Sequence, residues 1–225
     1  MSSQNISAVE ALERLREGNR RFASNVRSIE SLLSQGQASR SSLAQQQSPF
    51  AIVLGCSDSR APAEIVFDQG LGDLFVIRVA GNIVAPSQVG SVEFAAERFG
   101  TRLVVVMGHQ RCGAIAATID AIARGGAPPS RNMLSIVDRI RPTLEPLMEQ
   151  SSINPAEDGF GKTSFKSDPK AFERLAVRAN VRSSANQLRH GSGVLETLAL
   201  HDNLVVVGAD YDIETGVVDF FDGVP

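Results

Sequence analysis

Ala51-Ile52-Val53-Leu54-Gly55-Cys56-Ser57-Asp58-Ser59-Arg60 is the stretch whose reading decides the fold. Ala51 to Leu54 is a short apolar run with the length and composition of a buried strand. Where that strand should end, a thiol, a carboxylate and a guanidinium follow at alternate positions. A second apolar run, Leu103 to Met107, leads into Gly108-His109-Gln110-Arg111-Cys112-Gly113. The two stretches together supply Cys, Asp, His and Cys, the ligand types zinc prefers. We read them as converging on one metal.

Working outward, apolar and β-branched runs alternate with helical patterns. Pro62 opens a short helix, Ala63 to Asp68, and Leu74 to Val79 reads as a second strand. Arg78 inside that strand is either a snorkelling edge side chain or an anion or salt-bridge site. A helix is expected from about Ser87 to Phe99, a third strand over Leu103 to Met107, and a helix from Cys112 to about Arg124. Met133 to Met148 reads as helical with breaks near Pro142 and Pro146, and Ser151 to Ser167 as loop. Asp168-Pro169 opens a long helix ending at His190. Val194 to His201 is a shorter helix, Leu204 to Val207 a strand, Gly208 to Asp212 a turn and Val217 to Phe221 a last strand. His190 and His201 read as ordinary helix-end residues, and Tyr211 as a packing residue.

This order predicts an α/β fold with a mostly parallel central sheet flanked by helices. Residues 1–225 read as a single domain with an N-terminal helical arm over 1–47. Ser7-Ala8-Val9-Glu10 is a capping box, and Ala8, Leu12, Leu15 and Phe22 form one apolar stripe. That stripe must cover the main domain or, as we expect of the arm, a partner subunit. In open α/β sheets ligands sit at the carboxyl ends of strands, where both candidate metal segments lie.

Composition narrows the function. The chain has 225 residues, 43% hydrophobic, a net charge of −3 and only two cysteines, each inside a candidate metal segment. There is no basic run for nucleic acid, no apolar stretch for a membrane and no signal segment, so a soluble cytoplasmic protein is expected. A structural disulfide between Cys56 and Cys112, or two buried free thiols, are the plainer alternatives to a metal. No strand is followed by G-x-G-x-x-G or a P-loop, which argues against a nucleotide-binding module.

Zinc on Cys56, His109 and Cys112 would leave a fourth position for water, which ionises near neutral pH at such a metal. Two thiolates would reduce that acidity, so full activity should need somewhat alkaline pH. Asp58 can close the site as a fourth ligand, or it can pair with Arg60 and orient the zinc-bound hydroxide. The first arrangement suits a structural or closed state and the second suits catalysis.

Cys56-Ser57-Asp58-Ser59-Arg60, followed by Gly108-His109 and Cys112-Gly113, resembles the β-class carbonic anhydrases. The likeness extends through Gln47-Ser48-Pro49, Gly72-Asp73-Leu74-Phe75, Arg78 and Ala80-Gly81-Asn82 to Tyr211-Asp212 and Thr215-Gly216. It implies reversible hydration of carbon dioxide to bicarbonate and a proton, with one zinc per subunit and Asp58 and Arg60 as the catalytic dyad. Gln47 would donate a hydrogen bond to substrate, Phe75 and Ala80 would line a narrow apolar pocket, and the Gly113 N–H would help to bind bicarbonate. The resemblance also implies a homodimer or dimer of dimers, with the pocket between subunits. The same zinc chemistry leaves carbon disulfide or carbonyl sulfide open as substrates. Phe94 stands where some members have tyrosine. Arg78 matches the arginine of a second, regulatory bicarbonate site in some members, but the chain has no tryptophan to accompany it near Val53.

Overall fold

The computed structural model describes residues 6–29, 41, 43–125, 130–153 and 168–225. In chain order the elements are α1 (Ala8–Ala23), β1 (Ala51–Gly55), α2 (Ala63–Val66), β2 (Leu74–Arg78), a 3-10 turn (Ala80–Asn82), α3 (Pro86–Phe99), β3 (Leu103–His109), α4 (Gly113–Arg124), α5 (Arg131–Ile153), α6 (Pro169–His190), α7 (Gly193–His201), β4 (Val205–Tyr211) and β5 (Val218–Asp222). The strands form one sheet in the order β2-β1-β3-β4-β5. All pairs are parallel except β4 with β5, which is antiparallel with an irregularity at Gly208/Ala209. The chain moves from β1 to β2 on one side and then crosses back to β3 on the other. The strand order therefore reverses between β1 and β3, and a crevice opens at their carboxyl ends.

Alternation along the strands divides the core. Ala51, Val53, Leu103, Val105, Met107 and Val207 face α1 and α2, whereas Ile52, Leu54, Val104, Val106 and Val206 face α3, α6 and α7. A third apolar cluster lies beyond the strand ends, where α4, α5 and α6 enclose Cys56 and Cys112 with Ile115, Ile140, Leu144 and Phe172. The capping box of α1 is present in both directions between Ser7 and Glu10.

Several expectations change. The stripe of α1 covers its own chain, the first of the two readings: Ala8, Ala11, Leu12 and Leu15 are buried in the sheet cluster. The contact is close enough that a Cβ on Gly18 would stand 1.8 Å from the Phe67 carbonyl oxygen. Helix α5 runs unbroken through Pro142 and Pro146. Val137, Ile140 and Leu144 are buried on its inner side, whereas Asp138 and both prolines lie on the exposed face. The carbonyls that the prolines leave unpaired thus point to water, and core packing carries the helix through. The expected turn at Gly208 to Asp212 is mostly strand: β4 continues to Tyr211, opposite His109. Gly208 lets α6 approach, since a Cβ there would meet Val181 at 2.8 Å. His190 and His201 do close their helices. Tyr211 is buried and faces the Phe22 ring at 6.5 Å.

The loop expected from Ser151 to Ser167 starts later, since α5 runs to Ile153; residues 154–167 and the cytoplasmic reading of Met1 to Asn5 lie outside the described residues, as does much of the arm between Ser24 and Gln47. Among the described residues, no helix is long and apolar enough to cross a membrane.

Candidate metal centre

Each member of the centre is placed by the end of an element. Cys56 is the first residue after β1, His109 is the last of β3, and Cys112 is the N-cap of α4. The Cys112 side chain makes no cap hydrogen bond, so its sulfur is left for the centre. Only two residues separate His109 from Cys112, and the reversal is made at Arg111, whose φ is 56°. This left-handed conformation is costly for a residue with a Cβ and recurs at functional turns. The Gln110 N–H anchors the turn to Tyr211 O at 3.0 Å.

The sulfurs of Cys56 and Cys112 and a ring nitrogen of His109 all lie within 4.8 Å of one another. The three residues are 5%, 1% and 1% exposed, and neither cysteine is in a disulfide. His109 Nδ1 lies 2.9 Å from Gln110 O. A carbonyl can only accept, so Nδ1 carries the hydrogen and Nε2 keeps its lone pair. That Nε2 is buried and has no hydrogen-bond partner.

The two facing thiols titrate in opposite directions. A hydrogen bond from Cys112 lowers Cys56 despite burial, while the same bond and burial drive Cys112 up. Burial opposes charge on His109, but the Cys56 sulfur, the Gln110 carbonyl and the Asp58 carboxylate together raise the ring. Two sulfurs short of positive charge and one unpartnered imidazole nitrogen are a donor set that fits a divalent cation taking S and N ligands.

Asp58 and Arg60 are paired. Arg60 Nε donates to Asp58 Oδ1 at 2.9 Å and Nη2 to Oδ2 at 2.7 Å, and the Arg60 backbone N–H adds a bond to Oδ1 at 2.9 Å. Arg60 Nη2 also donates to Arg111 O at 3.1 Å, which links the two segments. The Arg60 hydrogen bonds hold the Asp58 carboxyl well below the usual carboxylate range, against partial burial. Asp58 Oδ2 lies 3.8 Å from His109 Nε2. Of the two readings of Asp58, the structure takes the pair with Arg60.

Arg78 is the exposed last residue of the edge strand β2, in line with the edge reading, and it has a further use. Its Nε donates to Cys56 O at 3.0 Å and its Nη2 to Asp58 O at 2.6 Å, so it brackets the loop that carries both residues. Val53 is fully buried in the sheet, where it packs with the α1 side of the core. Ala80 and Gly113 stand beside the centre: Ala80 precedes Gly81, whose N–H meets Cys56 Sγ at 3.3 Å, and Gly113 follows Cys112 at the exposed start of α4.

Gln47 and Phe75 are not brought to the centre by their own chain. Gln47 is exposed ahead of β1, in a groove with Leu43, Leu71 and Phe99. Phe75 is opposite Ile52 in register, about 13 Å along the strand from Cys56 at ~3.3 Å per residue. It packs on Phe94 and Phe99 at 6.2 and 6.1 Å.

A family model described as carbonic anhydrase matches residues 51–218. The chain belongs to the β-class carbonic anhydrase family. Carbonic anhydrase 2 of Mycobacterium tuberculosis is 34% identical over 212 residues, which are 94% of this chain and 92% of that one. The carbonic anhydrase of Mycolicibacterium smegmatis is 44% identical over 140 residues, 62% of this chain and 66% of its own. A tetrameric β-carbonic anhydrase of the fungus Sordaria macrospora superposes with a TM-score of 0.70 at 20% identity, over 94% of this chain and 97% of that one. At that identity the likeness speaks for the fold alone.

Sequence reasoning missed the supports of this carbonic anhydrase centre. The Arg111 carbonyl left no trace in the pattern, because a left-handed arginine is chosen by the turn and not by composition. Asn180 and Ser184 were findable, as two polar residues one turn apart on an otherwise apolar helix face.

Proposed function

We infer that the chain catalyses the reversible hydration of carbon dioxide to bicarbonate and a proton, with zinc held by Cys56, His109 and Cys112. The observation that carries this reading is the buried, partnerless Nε2 of His109, facing two buried sulfurs beside an Asp58–Arg60 pair. When bound, zinc supplies a Lewis acid that makes water acidic near neutral pH. The remaining work falls to the chain. Asp58 Oδ1 already accepts two bonds from Arg60, whereas Oδ2 accepts one and keeps a lone pair on the side facing His109. That lone pair can accept one hydrogen from a nucleophilic water and so orient it. Arg60 fixes the position of the carboxylate through two parallel hydrogen bonds.

Ala80 and the Gly113 N–H are assigned to the near wall of the pocket. Gln47 and Phe75 sit too far along the strands to reach it in one chain. A second copy would supply them across a dimer interface, so the partner subunit's Gln47 would donate to substrate and the partner subunit's Phe75 would close the apolar side. The two unpaired cysteines suit a reducing, cytoplasmic setting. The test is stopped-flow carbon dioxide hydration from pH 6 to 9, with zinc assayed in parallel. Turnover that rises toward alkaline pH and scales with zinc content is expected. Zinc-replete protein with no hydration activity, or with faster turnover of carbonyl sulfide, would overturn the assignment.

A further inference from the structure

Helix α6 carries two polar side chains on a face otherwise made of Ala176, Val177, Val181, Ala185 and Leu188. Asn180 and Ser184 are 2% and 3% exposed. Each reaches off the helix to the same turn: Asn180 Nδ2 donates to Gly81 O at 2.8 Å, and Ser184 Oγ donates to Asn82 O at 3.0 Å. The turn is strained. Gly81 has φ 70° and Asn82 φ 43°, two successive left-handed residues, the second with a Cβ. Gly81 must also be glycine for space, since a Cβ would meet Ile140 at 2.8 Å and Ala114 at 3.0 Å. The amide Nδ2 of Asn82 is buried without a partner, so it does not pin the turn. On the opposite side the Gly81 N–H points at Cys56 Sγ, 3.3 Å away.

We propose that Asn180 and Ser184 are positioning residues for the metal centre: from behind, they hold the Gly81-Asn82 turn in its left-handed form so that the Gly81 N–H stays on the Cys56 sulfur. The inference rests on the reading of Cys56 as a metal ligand. A hydrogen bond to a thiolate draws charge off the sulfur and weakens it as a donor, and such outer contacts tune the metal. With two sulfurs in the set, that bond helps decide how much positive charge the cation keeps. A purely structural pair would only satisfy two buried carbonyls. These two donors bracket the residue whose own N–H ends on a ligand.

The test uses protein loaded with cobalt(II) in place of zinc, read by its sulfur-to-cobalt charge-transfer absorption. If the wild-type protein lacks that absorption, the ligand reading of Cys56 fails, and this inference falls with it for that reason alone. If the band is present, Asn180→Leu should move it to longer wavelength, because the sulfur becomes the better donor, and should weaken zinc binding, measured by chelator competition, by roughly ten-fold, because the ligand is no longer held in place. Ser184→Ala should move the band the same way by less, and Ser184→Thr, which keeps the hydroxyl, should restore it. A shift in one variant alone assigns the role to that residue and removes the other. Should Asn180→Leu not fold, the Ser184→Ala and Ser184→Thr pair decides. An unmoved band and unchanged zinc affinity in the folded variants, with only thermal stability lost, would overturn the proposal.

Discussion

The metal centre and the aromatic surface around Phe75 occupy different stations along the same sheet, and they differ in completeness. At the carboxyl ends of β1 and β3, one chain supplies two sulfurs, an imidazole and a clamped carboxylate, all buried or hydrogen-bonded. Nearer the amino ends, Phe75, Phe94 and Phe99 form a cluster whose Phe94 is 53% exposed, and Gln47 makes no contact with the centre. The difference is one of origin. The reversal of strand order brings the ligands together within one chain, but no crossover brings the amino end of a strand to its own carboxyl end. The candidate ligand set is therefore a property of the fold, and on the proposed reading the substrate wall is a property of assembly.

The largest effect that could break this contrast is at His109. His109→Ala should reduce both bound zinc and hydration to background, because no other described group replaces the Nε2 lone pair. Asp58→Asn should keep the metal and lower the rate by about 100-fold or more, the scale of a group that positions a proton. Metal analysis beside stopped-flow rates distinguishes the two. Full zinc in the His109→Ala protein would mean that the ligands are not where the strands place them.

The next effect falls on the other region. Phe94→Glu puts a charge on the exposed aromatic cluster while leaving every ligand untouched. If this surface meets a second copy, the dimer should weaken by about 2 kcal/mol or more, roughly 30-fold, as at a buried aromatic anchor. Activity should fall with the dimer while zinc per chain stays constant. Sedimentation at several concentrations with metal analysis tests this, and a fully active monomer would collapse the contrast.

The two regions were also unequally legible. The centre could be read from residue types, because Cys56, His109 and Cys112 are scarce and stand where apolar runs stop. Strand ends themselves were read short: His109 and Tyr211 belong to β3 and β4, since glycine and polar residues inside a strand look like punctuation until a helix packs on them, as α6 does on Gly208. The prolines of α5 misled for the converse reason, since their cost is local and the packing of Ile140 and Leu144 is not. Arg78 looked like either an edge or an anion site because a pattern cannot show that its guanidinium fits two carbonyls of the neighbouring loop. Gln47 and Phe75 were recognisable only by resemblance, since a glutamine in a polar loop and a phenylalanine in an apolar strand carry no mark of a substrate wall.

The smallest expected effect is a shift of zero, and it sharpens the one-chain side of the contrast. Arg60 lowers the folded-state pKa of Asp58, below an unfolded value of about 3.9. A carboxylate with a depressed folded value contributes stability above its unfolded pKa and loses it as pH falls through the folded value. Asp58 therefore stays ionised from pH 6 to 9 and cannot be the group whose titration shapes the rate there. Asp58→Asn should lower the whole pH–rate profile without moving its midpoint. Arg60→Ala should do the same, because Asp58 released from its partner returns only toward about 3.9 and remains charged. The two variants then share a cause, loss of an oriented acceptor and not loss of a titrating base. A midpoint displaced in either one would show that the pair sets acidity at the centre, and that the division of labour between metal, carboxylate and guanidinium is drawn in the wrong place.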